Sequence, residues 1–359
     1  MFTPVETTLG ALLLQQSTSL LLHNNGLVLG CSGFVRNLFS ASPSSTTLTF
    51  LLGMASSVPV LQIFFPSLLT SYPPAPSSLE AALVTMGVGA LVGWGTKAGN
   101  GCTSGHMLCG LSRLSVRSAV AVGLFFPAAI LTHHLVHPSL LTQECLGDVP
   151  CYTPVYPSND MAVSLVAFTG AMILIGRWVP RFVAGLTASP ASSSSATPRA
   201  TEQQRQDTDK TTTSPLPNKT TAFISGLEFA LGLQISQMSS PAKVSSFLSF
   251  PSLDVWDPSL ALILVFAVLP NYLDNRFRGH PYRDDPSSKT APSPTFATHY
   301  QVPRKTLQDV NWKFMVGAVA FGCGWGLTGT CPGPAVIRSV MQPQWGLLWM
   351  SGFWLGGLL

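Results

Sequence analysis

The sequence predicts an all-α integral membrane protein. About nine membrane helices or half-helices are expected, in two inverted repeats with glycine-rich re-entrant breaks. Three observations carry this expectation. First, only 9% of the 359 residues are charged and 46% are hydrophobic, with a mean hydropathy of +0.35, whereas about a quarter are charged in ordinary soluble domains. Second, apolar runs long enough to cross a bilayer, or half of one, recur along the chain. Third, one short pattern is written twice. Gly93-Trp94-Gly95 leads into Gly101-Cys102-Thr103-Ser104-Gly105-His106, and Gly322-Cys323-Gly324 leads into Gly329-Thr330-Cys331-Pro332-Gly333. Laying Cys102 on Cys331 also lays Gly93 on Gly322 and Gly95 on Gly324. A cysteine set twice in equivalent glycine-lined turns is expected where two half-sites face each other.

The elements follow in order. Spans at 7–23, 47–69, 79–98 and 116–135 make a first transmembrane repeat, 1–135. Residues 1–23 lack a basic leader region and a clear cleavage site, so the first apolar stretch is expected to be structural. Residues 136–160 form a loop without Lys or Arg that carries Glu144 and Asp148. A connecting helix, 161–186, contains the span 161–180. Residues 187–221, rich in Ser, Thr and Pro and carrying Arg199, Arg205, Lys210 and Lys219, are expected to be a disordered linker. The second repeat, 222–359, has spans at 222–239, 256–270, 312–329 and 343–359. A polar loop, 271–311, interrupts it with Arg276, Arg278, Arg283, Lys289, Arg304 and Lys305. The positive-inside bias puts both basic loops in the cytoplasm and 136–160 outside. Counting spans then starts residue 1 outside and residue 222 inside, so the halves are inverted and 161–180 is the odd helix between them. The net charge of +4 is a topology signal rather than a sign of nucleic-acid binding. The bilayer is the expected environment, with the plasma membrane as the expected address and an organellar membrane as the alternative.

The repeated motif also carries a family resemblance. Gly101-Cys102-Thr103-Ser104-Gly105-His106, followed by Gly110-Leu111-Ser112-Arg113 and Arg117-Ser118, resembles the signature of the YeeE/YedE sulfur-transport family. Leu231-Gly232-Leu233-Gln234-Ile235-Ser236 with Pro241-Ala242-Lys243-Val244, then Trp256-Asp257-Pro258-Ser259, and Gly326-Leu327-Thr328-Gly329-Thr330-Cys331-Pro332-Gly333-Pro334 are similar to its later blocks. Four blocks occur in order and cover most of the chain outside 1–20, 137–158, 187–219 and 279–305. Gln237 stands where the family pattern has Gly. The resemblance implies an hourglass-like helical importer of thiosulfate or a related sulfur anion, often working with a small sulfur-carrier protein. The matching cysteines are Cys102 and Cys331, with Cys31 a third candidate. Gly101, Gly105, His106, Gly329 and Gly333 flank them as candidate substrate-binding residues.

The chemistry suits that assignment. Glycine-rich turns at helix starts offer backbone N–H groups to oxyanions. A neutral thiol is a weak donor and a polarizable contact for a terminal sulfur, and it adds no repelling charge. Several modest sites in a row make both entry and exit feasible. Buried cysteine and packing glycine are nonetheless common in membrane helices, so a scaffold whose glycines serve only packing is one alternative. A membrane thiol-disulfide oxidoreductase is the other, though no C-x-x-C occurs. No cofactor, catalytic residue or metal site is expected. His133, His134 and His137 lack the Glu of a zincin motif and are expected to cluster at an interface. Cys109 and Cys323 are expected to pack, and Cys145 with Cys151 to suit a disulfide outside. Arg113 and Arg117, four apart on a helix, either supply positive potential or mark the inside boundary, and Lys97 and Lys243 have the same two readings. Glu228, inside a span, is a default functional candidate.

Overall fold

The computed structural model describes residues 1–137, 149–187, 215–277, 293–303 and 306–359, and among these no strand occurs. Twelve α-helices follow in order: α1 Pro4–Asn25, α2 Cys31–Leu38, α3 Ser45–Phe64, α4 Leu79–Ala98, α5 Val116–Val136, α6 Asn159–Thr187, α7 Pro215–Ile235, α8 Pro241–Leu248, α9 Leu269–Phe277, α10 Trp312–Thr328, α11 Pro332–Met341 and α12 Pro343–Leu358. A π-helical segment, Ser104–Gly110, lies between α4 and α5, and another, Leu264–Val268, runs into α9. The starts follow local chemistry. Ser44, Ser78, Ser115 and Asn311 each accept a hydrogen bond from a backbone N–H three residues on, which satisfies orphan donors of the first turn. Gly26 and Gly329 end α1 and α10 in the left-handed region, at φ 68° and 63°, where a side chain is disfavoured.

Among the described residues, six segments are long and apolar enough to cross a membrane: Ser45–Phe64, Leu79–Ala98, Val116–Val136, Asn159–Thr187, Pro258–Phe277 and Trp312–Met341. The other three expected spans are helical but do not meet that measure. α1 and α7 carry Gln15, Gln16, Ser17, Ser225 and Glu228 along their lengths, and Gln234 near the end of α7. These residues are tolerable because the two helices pack on each other, with α3 and α6 against α7. Ser17 Oγ donates to the Ser225 carbonyl at 2.7 Å and Ser225 Oγ to the Ser17 carbonyl at 3.0 Å. Gln234 donates to Ser57 Oγ at 2.8 Å. α12 has only 16 residues. α7 also starts at Pro215, inside the segment expected to be linker. The rest of that segment, 188–214, lies outside the described residues, as do 138–148 and, in the second basic loop, 278–292 and 304–305.

The order long, short, long, long, short, long occurs twice. It runs as α1, α2, α3, α4, Ser104–Gly110, α5, and again as α7, α8, Pro258–Phe277, α10, α11, α12. The glycines of the doubled motif do matching jobs. A Cβ on Gly93 would stand 2.1 Å from the Phe353 carbonyl oxygen on α12, and one on Gly322 would stand 2.3 Å from that of Phe125 on α5. Gly95 meets Phe321 on α10, while Gly324 meets Val92 on α4. In these contacts one residue number rises as the other falls, so α4 and α10 run antiparallel. The same is true of α1 and α7, where Gly10 meets Gly232 and Ser17 meets Ser225. Such backbone approach is how small residues hold helices together in lipid, where burial from water cannot.

Candidate functional site

Short helices lie between the long ones, and three cysteines stand at their starts. Cys31 is the first residue of α2, Cys331 is the N-cap of α11, and Cys102 precedes the segment Ser104–Gly110. The two motif cysteines have the same backbone role. His106 N donates to the Cys102 carbonyl at 2.9 Å and Ala335 N to the Cys331 carbonyl at 3.0 Å. All three cysteines are free thiols, buried, and line one cavity.

That cavity is closed and soft. Leu14, Phe229, Leu233 and Ile263 form much of its wall, with Thr103, Ser104, Gly333 and Pro334. Met107 and Met238 also line it, so five sulfur-bearing residues from four separate segments of the sequence border one space. Among the described residues no charged side chain lines it. Thr103 Oγ1 donates to Cys331 Sγ at 3.5 Å, Cys102 Sγ lies 3.2 Å from Ser104 Oγ, and the backbone N–H of Ser32 points to Cys102 Sγ at 3.5 Å. A Cβ on Gly333 would come within 3.8 Å of Cys31 Sγ. The open volume is about 20 Å³, room for one or two water-sized spheres at about 10–15 Å³ each. As it stands, the space is too small for a tetrahedral oxyanion.

The structure divides the candidates named from sequence. Cys31, Cys102, Cys331 and Gly333 meet at the cavity. Gly101, Gly105 and His106 line a second, polar recess on the other side of the same turn. His106 is held there from both sides, its Nε2 2.9 Å from the Gly99 carbonyl oxygen and its Nδ1 3.1 Å from Ser118 Oγ. A Cβ on Gly101 would strike this ring at 2.7 Å. Gly329 lines neither space. It caps α10 and packs on Pro241, whose carbonyl oxygen would lie 2.7 Å from its Cβ.

Cys109 and Cys323 stand apart from the cavity. Cys109 falls on a small pocket with Ser112 and Asn271, because the wider π winding of Ser104–Gly110 rotates it off the face that Cys102 shares. Cys323 is half-buried on α10. Cys151 is disulfide-bonded; Cys145, named with it from sequence, lies outside the described residues. His134 and His137 turn their Nε2 atoms to the carbonyls of Phe250 and Leu327, at 2.9 and 2.8 Å. Lys243 is buried against Asp257 at 3.0 Å. Lys97 reaches the Leu358 carbonyl at 3.1 Å. Glu228 is fully buried, with neither carboxyl oxygen hydrogen-bonded, but it faces Gly176 and Gln16 rather than the thiols. The two methionines were missed by sequence reasoning, since Met fills gaps in any apolar core. Met107 alone carried a signal, five residues beyond Cys102.

Fold and site together define a helical, multi-pass membrane protein with a closed cavity of converging thiols. Residues 218–358 match the model of a family described as "Family of unknown function (DUF6691)". A "Probable transporter" of Xylella fastidiosa (strain 9a5c) is 35% identical over 120 residues, 33% of this chain and 71% of that protein. Another "Probable transporter", from Xylella fastidiosa strain Temecula1, is 35% identical over 126 residues, 34% of this chain and 88% of its own length. The chain belongs to this family of unknown function (DUF6691). No solved structure matches it.

Proposed function

We propose that the protein is a membrane transporter that takes up thiosulfate or a related sulfur-containing anion through the thiol-lined centre, as the YeeE/YedE resemblance implies. The observation that carries this is the cavity itself. Three thiols on three short helices, and two thioethers, meet in a space that no charged group among the described residues lines. A terminal sulfur gains polarizable contacts and weak S–H donors there, while the N-terminal ends of α2 and α11 favour the anion's negative charge. The names of the Xylella relatives agree with transport.

The inverted repeat is part of this proposal. Its support is the doubled order of elements, the antiparallel run of α1 on α7 and of α4 on α10, and the exchanged glycine contacts. On that scheme the two basic segments share the cytoplasmic side of the plasma membrane. Cysteines placed at Ser193 and Ser288 are then expected to label from one side, and a cysteine at Ser139 from the other, in a background without reactive native thiols. Labelling of Ser193 and Ser288 from opposite sides would rule the scheme out.

The direct test is uptake of radiolabelled thiosulfate by purified protein in liposomes. Saturable uptake that excess unlabelled thiosulfate suppresses is expected. Liposomes holding folded protein that take up no more label than empty ones overturn the proposal.

A further inference from the structure

The polar recess behind the cysteine turn has a different chemistry from the thiol cavity. Its open volume is about 290 Å³ against about 20 Å³. Neighbouring residues part between the two spaces at two points. Ser32 faces the recess while Cys31 faces the thiols, and Gly101 faces the recess while Cys102 faces the thiols. Arg36, Arg113 and Arg117 all line it, and among the described residues no carboxylate does.

Two of the arginines, Arg36 and Arg117, are held but not satisfied. Arg117 is only 6% exposed, and its guanidinium lies 4.3 Å over the Phe314 ring. Its Nε and Nη2 are buried with no hydrogen-bond partner, and so is Nε of Arg36. Arg36 is anchored through Nη2 to Thr96 Oγ1 at 3.3 Å, and Arg113 through Nε to the Cys109 carbonyl at 3.0 Å. Asp309, on the segment that covers α5, attracts Arg117 electrostatically, but it is exposed, hydrogen-bonds the backbone of Thr306 and does not line the recess. Buried guanidinium donors without an acceptor are costly, and a planar N–H fork matches the edge of an oxyanion.

We propose that Arg36, Arg113 and Arg117 form a binding site for a free tetrahedral oxyanion, separate from the thiols and opening onto them. The three cations attract the anion and hold its oxygens. On the topology proposed above the recess lies on the cytoplasmic side, so in uptake the thiols discriminate by the terminal sulfur first and the three cations then receive the anion. The site accepts sulfate as well as thiosulfate, because its donors address only oxygens. As a stage in transport it rests on the function proposed above, but the binding itself does not.

Calorimetric titration of full-length protein in phosphatidylcholine nanodiscs tests this, with sulfate and thiosulfate as ligands at constant ionic strength. Both anions are expected to bind saturably and to compete. Arg36→Gln and Arg117→Gln should each weaken both by about tenfold, the equivalent of about 1.4 kcal/mol. Arg117→Lys, which keeps the charge and the packing stem, should weaken them less and guards against loss of fold in Arg117→Gln. The Cys102→Ser, Cys331→Ser double variant should keep sulfate binding within about twofold. Unchanged binding in the folded arginine variants overturns the site. So does loss of sulfate binding when phosphatidylglycerol replaces part of the lipid, which would make the recess a headgroup site. Anion binding without any uptake would instead leave the site standing and remove the transport proposal.

Discussion

Serine at Cys102 or at Cys331 is expected to cut thiosulfate uptake about tenfold or more, which corresponds to about 1.4 kcal/mol at the barrier. Serine at Cys109 or Cys323 is expected to change it little. The contrast follows from position. Cys102 and Cys331 face the closed cavity, whereas Cys109 lies on another pocket and Cys323 is half-buried on α10. Serine keeps a donor and nearly the size of cysteine but loses the polarizable sulfur. Both cysteines sit among hydroxyls, Ser104 beside Cys102 and Thr103 beside Cys331, so an added hydroxyl finds partners and the fold should hold. Sulfate movement, where measurable, should suffer less than thiosulfate movement, because sulfate presents no terminal sulfur. Thiosulfate should also slow alkylation of the wild-type thiols. The measurement is initial uptake in liposomes, with the thermal midpoint of each variant recorded beside it. Normal transport by the double serine variant would mean that the cysteines are packing residues.

Much of this arrangement was legible in the sequence because it rests on local signals. Among the described residues, six of the nine expected spans stand as helices long and apolar enough to cross a membrane, since length and hydropathy are properties of a segment. The doubled glycine-cysteine motif pointed to Cys102 and Cys331, and the structure brings both to one cavity with Cys31. What was not legible depends on partners distant in the chain. α1 and α7 read as simple spans, yet their middles carry Ser17 and Ser225, which are useful only because each meets the other's carbonyl. His106, beside the cysteine, read as a group that could orient an anion. In the fold both its nitrogens are engaged, with Gly99 and Ser118, and it braces the turn. Arg36 drew no attention at all, because nothing in its neighbours places it across a recess from Arg113 and Arg117.

Alanine at Gly226 is expected to destabilise the protein by about 1–3 kcal/mol, the usual penalty for overpacking, although alanine favours an exposed helix by up to about 1 kcal/mol over glycine. A Cβ at Gly226 would stand 2.0 Å from the Phe50 carbonyl oxygen, and the reciprocal Cβ at Gly53 would stand 2.0 Å from that of Phe223. The colliding atoms are backbone, so a rotamer change cannot relieve them and α3 must move away from α7. That movement reaches the site. α7 carries Phe229 and Leu233 into the thiol cavity, and Phe229 lies one turn beyond Gly226. Gly226→Ala should therefore lower the thermal midpoint by several degrees and impair uptake in whatever protein remains folded. Gly123 and Gly170 are the controls, since a Cβ at either meets nothing within 4 Å. Alanine there should hold or raise the midpoint and leave uptake intact. A Gly226→Ala protein as stable as Gly170→Ala would mean that the two helices do not approach this closely. If it were unstable yet transported at the wild-type rate per folded molecule, the wall built by Phe229 and Leu233 would lie outside the path of the anion.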